Sequence, residues 1–240
     1  MNILITICAR GGSKGIPGKN IRLINGKPLL LYSIETANQI GTKFGAKIAL
    51  STDSSEIKNV AKIAGLHTDY DRPDFLSTDT AGKKGTIKHL VEYEEQLKGV
   101  RYDYVLDLDV TSPLRTSIDL ELAFDLFRND ENAQTLFSVN NAARNPYFNM
   151  VEKNSNGYFS LVKTNSDGSA LTRQTAPNVY DLNASFYWYR RNFFDSNFQT
   201  AITDKSLIYL MDHTCFDLDH PIDFLFMEYL LVNNKLDFEL

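Results

Sequence analysis

The sequence predicts an α/β fold: a mostly parallel sheet flanked by helices. Three observations point there. Short apolar runs alternate with stretches of helical period, the pattern of βαβ units. The first run, residues 3–9, enters a glycine-rich loop with Gly11, Gly12, Gly15 and Gly18. Polar residues gather at the ends of later runs, at Ser51-Thr52-Asp53 and at Asp107 and Asp109, where open α/β sheets bind ligands. A chain of 240 residues suits one such domain over 1–240.

The elements follow in order. Residues 3–9 are apolar without alternation, as expected of a strand buried on both faces. Pro28 opens a helix carrying Leu29, Leu30, Ile34 and Ala37. Ala46–Leu50 reads as a strand. Ser54 caps a helix through about Ala64, with Ile57, Val60, Ala61 and Ala64 on one face. Thr86–Leu97 is helical, and Tyr104–Asp109 is a strand. Leu120, Ala123, Phe124 and Phe127 keep the i, i+3, i+4, i+7 spacing of an amphipathic helix. Thr135–Val139 is the next strand. Residues 141–180 break the alternation and read either as a lobe of short strands that contacts another subunit or as a long insertion. Tyr147, Phe148 and Tyr158 are its aromatics. Strands resume at Ala184–Tyr189 and Leu207–Met211, and a last helix runs from about Pro221 to Val232.

Composition excludes some classes. The net charge of −5 argues against general nucleic-acid binding. No run of about 18 uncharged apolar residues exists to span a membrane, and the N-terminus lacks the basic region of a signal peptide. Cys8 and Cys215 form no metal-ligand cluster and read as reduced thiols of a cytoplasmic protein. The charge is uneven: no Asp or Glu precedes Glu35, while Arg10, Lys14, Lys19, Arg22 and Lys27 crowd the glycine loop. Such a loop is built to hold a polyanion. It is not a Walker A loop, because Ser13 stands where the first glycine belongs and Asn20 replaces the hydroxyl. Nor is it the dinucleotide fingerprint, because Arg10 occupies the first glycine position. Backbone N–H groups and several cations suit a triphosphate whose bond is to break.

The run Ala9-Arg10-Gly11-Gly12-Ser13-Lys14-Gly15-Ile16-Pro17-Gly18-Lys19-Asn20 resembles the opening signature of the CMP-sialic acid synthetases, or acylneuraminate cytidylyltransferases. Gly26-Lys27-Pro28-Leu29, Ser51-Thr52-Asp53, Arg72-Pro73, Thr111-Ser112-Pro113-Leu114-Arg115, Asp217-Leu218-Asp219 and Asp223-Phe224 continue it in order. The resemblance implies a Rossmann-like nucleotidyltransferase fold with a small dimerisation lobe. It also implies transfer of CMP from CTP to the anomeric hydroxyl of a nine-carbon 2-keto sugar acid, with pyrophosphate released. Arg10, Lys14 and Lys19 would contact the phosphates; Asn20 would read the cytosine and Arg72 would lie beside the nucleoside. Ala9, Gly11, Gly12, Ser13 and Asp109 complete the implied nucleotide set. Alternatives are a CMP-Kdo or other sugar nucleotidyltransferase, or a nucleotide-binding domain without turnover.

Asp217 and Asp219 lie two residues apart and share a face when extended. They suit Mg²⁺, which takes one or two carboxylates plus substrate phosphates. Alternatively Asp219 or His220 caps the last helix, with Pro221 in its first turn. Spacing leaves both open; the resemblance implies the metal, with Asp223 as a supporting acceptor. Asp109 reads as a sugar ligand, an aid to the metal, or the partner of Arg115 or Lys19. No general base is identifiable among His67, His89, His213 and His220. For the sugar, Arg115 and Arg173 are candidate cations for the carboxylate, ahead of Arg144, and Tyr187 or Phe148 would line an apolar pocket. Asp109-Val110 stands where sialic acid enzymes usually show Gln-Pro, and residues 143–149 and 176–185 resemble the bacterial relatives that use legionaminic acid. The expected partners are CTP and this acid, with a homodimer.

Overall fold

The computed structural model describes residues 1–12, 15–164, 172 and 174–240. Strand β1 spans Ile3–Cys8. A short 3-10 turn at Lys19–Ile21 leads into a ribbon of β2 (Leu23–Ile24) and β3 (Lys27–Pro28), then helix α1 (Leu29–Phe44). Next come β4 (Lys47–Ser51), α2 (Ser55–Ile63), α3 (Lys83–Lys98), β5 (Tyr104–Leu108), α4 (Ser117–Asn129) and β6 (Thr135–Asn141). A hairpin of β7 (Val151–Lys153) and β8 (Phe159–Leu161) precedes β9 (Tyr180–Arg190), β10 (Ser206–Leu210) and α5 (Pro221–Val232).

The main sheet has the order β10-β6-β9-β5-β1-β4. Neighbouring pairs are parallel except at β9, which runs antiparallel to both β5 and β6. Both faces are covered, which is why β1 is apolar except at Thr6, whose hydroxyl is hydrogen-bonded to Asp107. Ile3, Ile5 and Ile7 join one core with Ile34 of α1, Phe124 of α4 and Phe224 of α5. Leu4 joins the other with Ile87 and Leu90 of α3. Trp188 is fully buried, 4.5 Å from Phe124 between ring centroids.

Local signals account for the helix ends. The Ser54 hydroxyl accepts from the Ile57 amide. Thr116 and Asp119 form a capping box at α4. Gly45 ends α1 at φ 62°, a conformation that favours glycine.

Two expectations need correction. Helix α3 begins at Lys83 rather than Thr86, so it presents two lysines in its first turn. The strand expected at Ala184–Tyr189 is an 11-residue strand that begins at Tyr180. Its pattern was broken by a bulge. Ala184 adopts φ 59°, and the register with β6 shifts between Phe137 and Val139. Asn183 Oδ1 braces the bulge, accepting from the Ser138 hydroxyl at 2.6 Å and the Ser185 amide at 3.1 Å. The β7–β8 hairpin stands apart from the main sheet, with Tyr158 75% and Phe159 68% exposed. Tyr147 and Phe148, by contrast, are half-buried. Among the described residues no helix is long and apolar enough to cross a membrane.

A polar cluster ties the C-terminal tail to the body. Asp119 receives the Thr116 amide and hydroxyl, the Tyr209 hydroxyl and, at 2.9 Å, His213 Nε2. The His213 ring stacks on Phe238 at 3.7 Å, and the Thr214 amide donates to Asp237. Burial alone would lower the His213 pKa, but hydrogen bonds to Asp119 and the Thr214 carbonyl outweigh it and raise the pKa above 6.5. The stabilisation is therefore full below pH 6.5 and is lost as pH rises through the folded-state value. The stability gap between wild type and His213→Ala, from urea unfolding, should shrink by on the order of 1 kcal/mol between pH 6 and 8.5. A constant gap would remove the ionic contribution.

Candidate active site

The site forms where β1, β4 and β5 end. A cavity of about 310 Å³ opens there, lined by Arg10, Lys19 and Asn20 of the loop and by Arg72, Lys83 and Asp109. A larger cavity of 680 Å³ lies between α1, the start of α4 and the C-terminus. Its Lys27 is paired with Glu35 and lies over the Tyr32 ring, so it gathers no comparable set of cations.

The glycine loop is shaped by close approach. A Cβ on Gly11 would lie 2.9 Å from Ser54 Cβ, and Gly18 turns into the 3-10 helix at φ 63°. The Gly11 amide donates to Asp53 Oδ1 at 2.7 Å and the Ala9 amide to the Ser51 carbonyl at 2.9 Å. These two donors are engaged within the protein, where they shape the loop. Gly12 borders open space. Asn20 Nδ2 donates to the Arg10 carbonyl at 2.9 Å and so holds the loop as well as lining the cavity. Arg72 is 7% exposed and grips Ser51 through its Nε and Nη2. Arg10 meets Asp79 at 2.8 Å. The expected contributions of Ser13, Lys14 and Arg173 lie outside the described residues.

Residues 200 positions apart meet beside the cavity: Lys19 Nζ lies 3.2 Å from Asp219 Oδ1. The acidic segment is stitched down on both sides. The Leu218 amide donates to the Thr111 carbonyl at 2.8 Å, and the Ser112 hydroxyl to the Phe216 carbonyl at 3.3 Å. Leu218 is buried, leaving Asp217 and Asp219 on the other face. The cap of α5 is His220, whose amide donates to Asp223 Oδ2 at 2.6 Å. Asp219 is thus free of the helix, and Asp223 serves the cap. Asp217 Oδ1 is buried without a hydrogen-bond partner. Burial, then the charges of Asp109 and Asp219, push the Asp217 pKa up to about 6. A desolvated acceptor facing like charges fits a cation. No group of three or more His, Cys, Asp or Glu suited to a metal exists among the described residues, so a cation here needs substrate oxygens as well.

Two assignments change. The Asp109 carboxylate is partnered by neither Arg115, which reaches only the backbone carbonyl, nor Lys19. Lys83 Nζ sits 2.9 Å from Asp109 Oδ2 and 2.9 Å from Asp107 Oδ2, 4.4 Å above the Tyr187 ring. Burial would lower the Lys83 pKa, but Asp107 and Asp109 hold it well above the ordinary range. Burial opposes ionisation of Asp109 too, yet Lys83 and Thr111 bring its pKa down to about 2. The sequence carried one signal for Lys83: an aspartate inside a core strand requires a cation.

Arg115 is 1% exposed. Its Nη1 donates to the carbonyls of Asp109, Ser112 and Ser185, and its Nη2 to the Ser33 hydroxyl at 2.6 Å. It braces the loop instead of facing a sugar carboxylate. Tyr187, 9% exposed, lies beneath Lys83, and Arg144 is exposed in the lobe.

A nucleotidyltransferase is what this fold and site define: a basic glycine loop facing an acidic pair across the carboxyl edge of a mostly parallel sheet. A family model described as cytidylyltransferase matches residues 4–226. The chain is 38% identical over 234 residues to the post-translational flagellin modification protein B of Campylobacter coli, covering 98% of this chain and 97% of that protein. It is 38% identical over 230 residues to the CMP-N,N'-diacetyllegionaminic acid synthase of Campylobacter jejuni, covering 95% and 94%. Its fold matches a CTP-bound CMP:2-keto-3-deoxy-manno-octonic acid synthetase at a TM-score of 0.69 and 17% identity, over 98% and 100% of the two chains. The chain belongs to the cytidylyltransferase family.

The Arg115 reading is testable by stability. Arg115→Leu removes a buried charged donor from the Ser33 hydroxyl and from the carbonyls of Asp109, Ser112 and Ser185. Each of these carbonyls keeps one other donor, so the loss is that of hydrogen bonds to a charged group, at roughly 1.5–3 kcal/mol each. Chemical denaturation should show a loss of roughly 2–5 kcal/mol. Unchanged stability, with a raised KM for the acid acceptor alone, would return Arg115 to substrate binding.

Proposed function

We propose that this enzyme transfers CMP from CTP to the anomeric hydroxyl of a nine-carbon 2-keto sugar acid, legionaminic acid or a close analogue. The observation that carries the reading is the meeting of Lys19, which lines the cavity, with Asp219. The glycine loop offers cations to a triphosphate, and the segment beside it offers carboxylates to a cation. The names of the relatives, CMP-N,N'-diacetyllegionaminic acid synthase among them, support the acceptor class.

In this reading Arg10, Lys14 and Lys19 hold the triphosphate, Asn20 and Arg72 border the nucleoside, and Asp217 and Asp219 hold Mg²⁺. The metal would neutralise phosphate charge. The acceptor oxygen forms a bond to the α-phosphorus as the bond to pyrophosphate breaks, and the hydroxyl proton passes to solvent. The protein aligns two anions and offsets their repulsion. Arg173 is the cation for the sugar carboxylate, and Tyr187 contributes an apolar face. Free thiols at Cys8 and Cys215 fit a cytoplasmic setting. The exposed hairpin aromatics fit an intersubunit contact and a homodimer.

Pyrophosphate release tests the reaction. It should be at least tenfold faster with CTP than with UTP, ATP or GTP. Across legionaminate, pseudaminate, N-acetylneuraminate and Kdo, kcat/KM should be highest for legionaminate. Equal rates with UTP would remove the cytidine assignment; preference for N-acetylneuraminate would change the acceptor alone. Light scattering at micromolar concentration should give twice the 27.2 kDa chain mass, and Phe159→Asp should lower it. A fully active monomer would eliminate the dimer.

A further inference from the structure

Lys83 stands where helix energetics disfavour it. It is the first residue of α3, followed by Lys84, with no acidic residue in that turn. Cations near a helix N-terminus oppose the macrodipole. Each lysine is matched from outside the helix. Lys84 donates to the carbonyls of Ser196 and Phe198 at 2.6 and 2.7 Å. Lys83 meets two carboxylates, those of Asp107 and Asp109.

From Lys83 a chain of hydrogen bonds runs to the acidic pair. Asp109 spends one oxygen on Lys83 and the other on Thr111, whose amide and hydroxyl both donate to Oδ1 at 2.9 Å. Thr111 in turn offers its carbonyl to the Leu218 amide at 2.8 Å. Leu218 is the residue between Asp217 and Asp219. Asp107 anchors the other side of Lys83, with its second oxygen taken by the Thr6 hydroxyl at 2.8 Å. One ammonium thus fixes β1, β5 and the loop beneath the acidic segment.

We infer that Lys83 is a positioning residue for the cation site: through Asp109 and Thr111 it sets the placement of Asp217 and Asp219 relative to the basic loop. It touches neither carboxylate of the pair, and its effect is on their geometry. Residues that orient ligating groups typically govern metal affinity by 10–100-fold. The inference rests on the reading of Asp217 and Asp219 as the metal's holders.

The test measures binding, without turnover. CTP affinity is measured calorimetrically on the full chain with Mn²⁺ and with EDTA, acceptor absent, and the ratio isolates the metal's contribution. Asp217→Asn should reduce this ratio to near one. Lys83→Met strands the fully buried Asp107 charge and is expected to unfold at lower temperature. Lys83→Met combined with Asp107→Asn removes one charge of each sign and keeps the chain folded. Its ratio should fall roughly 10–100-fold, with Tm close to wild type, and Lys83→Arg should restore most of it. A wild-type ratio in the folded double variant overturns the inference and leaves the metal reading standing. A ratio of one in the wild type itself overturns the metal reading and the inference with it.

Discussion

Asp107 has no exposed surface, and a carboxylate in that position must be paired and hydrogen-bonded. Thr6 on the neighbouring strand supplies the hydrogen bond and Lys83 the charge. Much of the site depends on this pairing. It requires α3 to begin where its first side chain reaches over the end of β5. It leaves the ammonium close enough to hold Asp109 as well, and so it fixes the Thr111 loop. The wall opposite the glycine loop is therefore set by a charge requirement inside the sheet, before any ligand arrives.

The cations around the cavity fall into two kinds. Arg10 and Lys19 are paired with carboxylates that are 40% and 64% exposed, Asp79 and Asp219. Exposed ion pairs are worth about 0–1 kcal/mol, so a phosphate can take over either cation at small cost. Lys83 cannot be exchanged in this way, because releasing it would leave the buried Asp107 charge unpaired. Arg72 is committed to Ser51 and keeps its place for a different reason, the backbone and hydroxyl acceptors it fills. The pocket thus combines mobile charge for the triphosphate with fixed charge that supports the carboxylates beneath it.

Periodic signals in the sequence were reliable wherever local and tertiary preferences agree. The first strand, the Ser54-capped helix, the apolar face of α4 and the Pro221 start of α5 follow directly from residue pattern. Two features escaped that reading. The start of the antiparallel strand β9, residues 180–183, is hidden because the bulge at Ala184 interrupts its alternation and because Asn183 and Ser185 are buried polar residues, satisfied by partners on β6 and in the Ser112 loop. The residue pattern assigns Lys83 no role and offers Arg115 as a sugar contact. Only tertiary contacts show that Lys83 lines the cavity and that Arg115, 1% exposed, braces the loop beside it.

Strand β9 also links assembly to chemistry. Its first residue, Tyr180, pairs with Asn141 at the base of the lobe, and Tyr187 lies beneath Lys83, which lines the cavity. Seven residues of strand cover roughly 23 Å. Over that span β9 pairs with β6 at 180–182, and from Tyr187 it is paired on both sides, to β6 and to β5. The braced bulge at Ala184 between these stretches is its point of easiest bending. A subunit contact at the lobe would therefore reach the neighbourhood of the cavity through a strand with one braced bend. The same strand that lies in the middle of the sheet connects the base of the lobe with the Lys83 that lines the cavity.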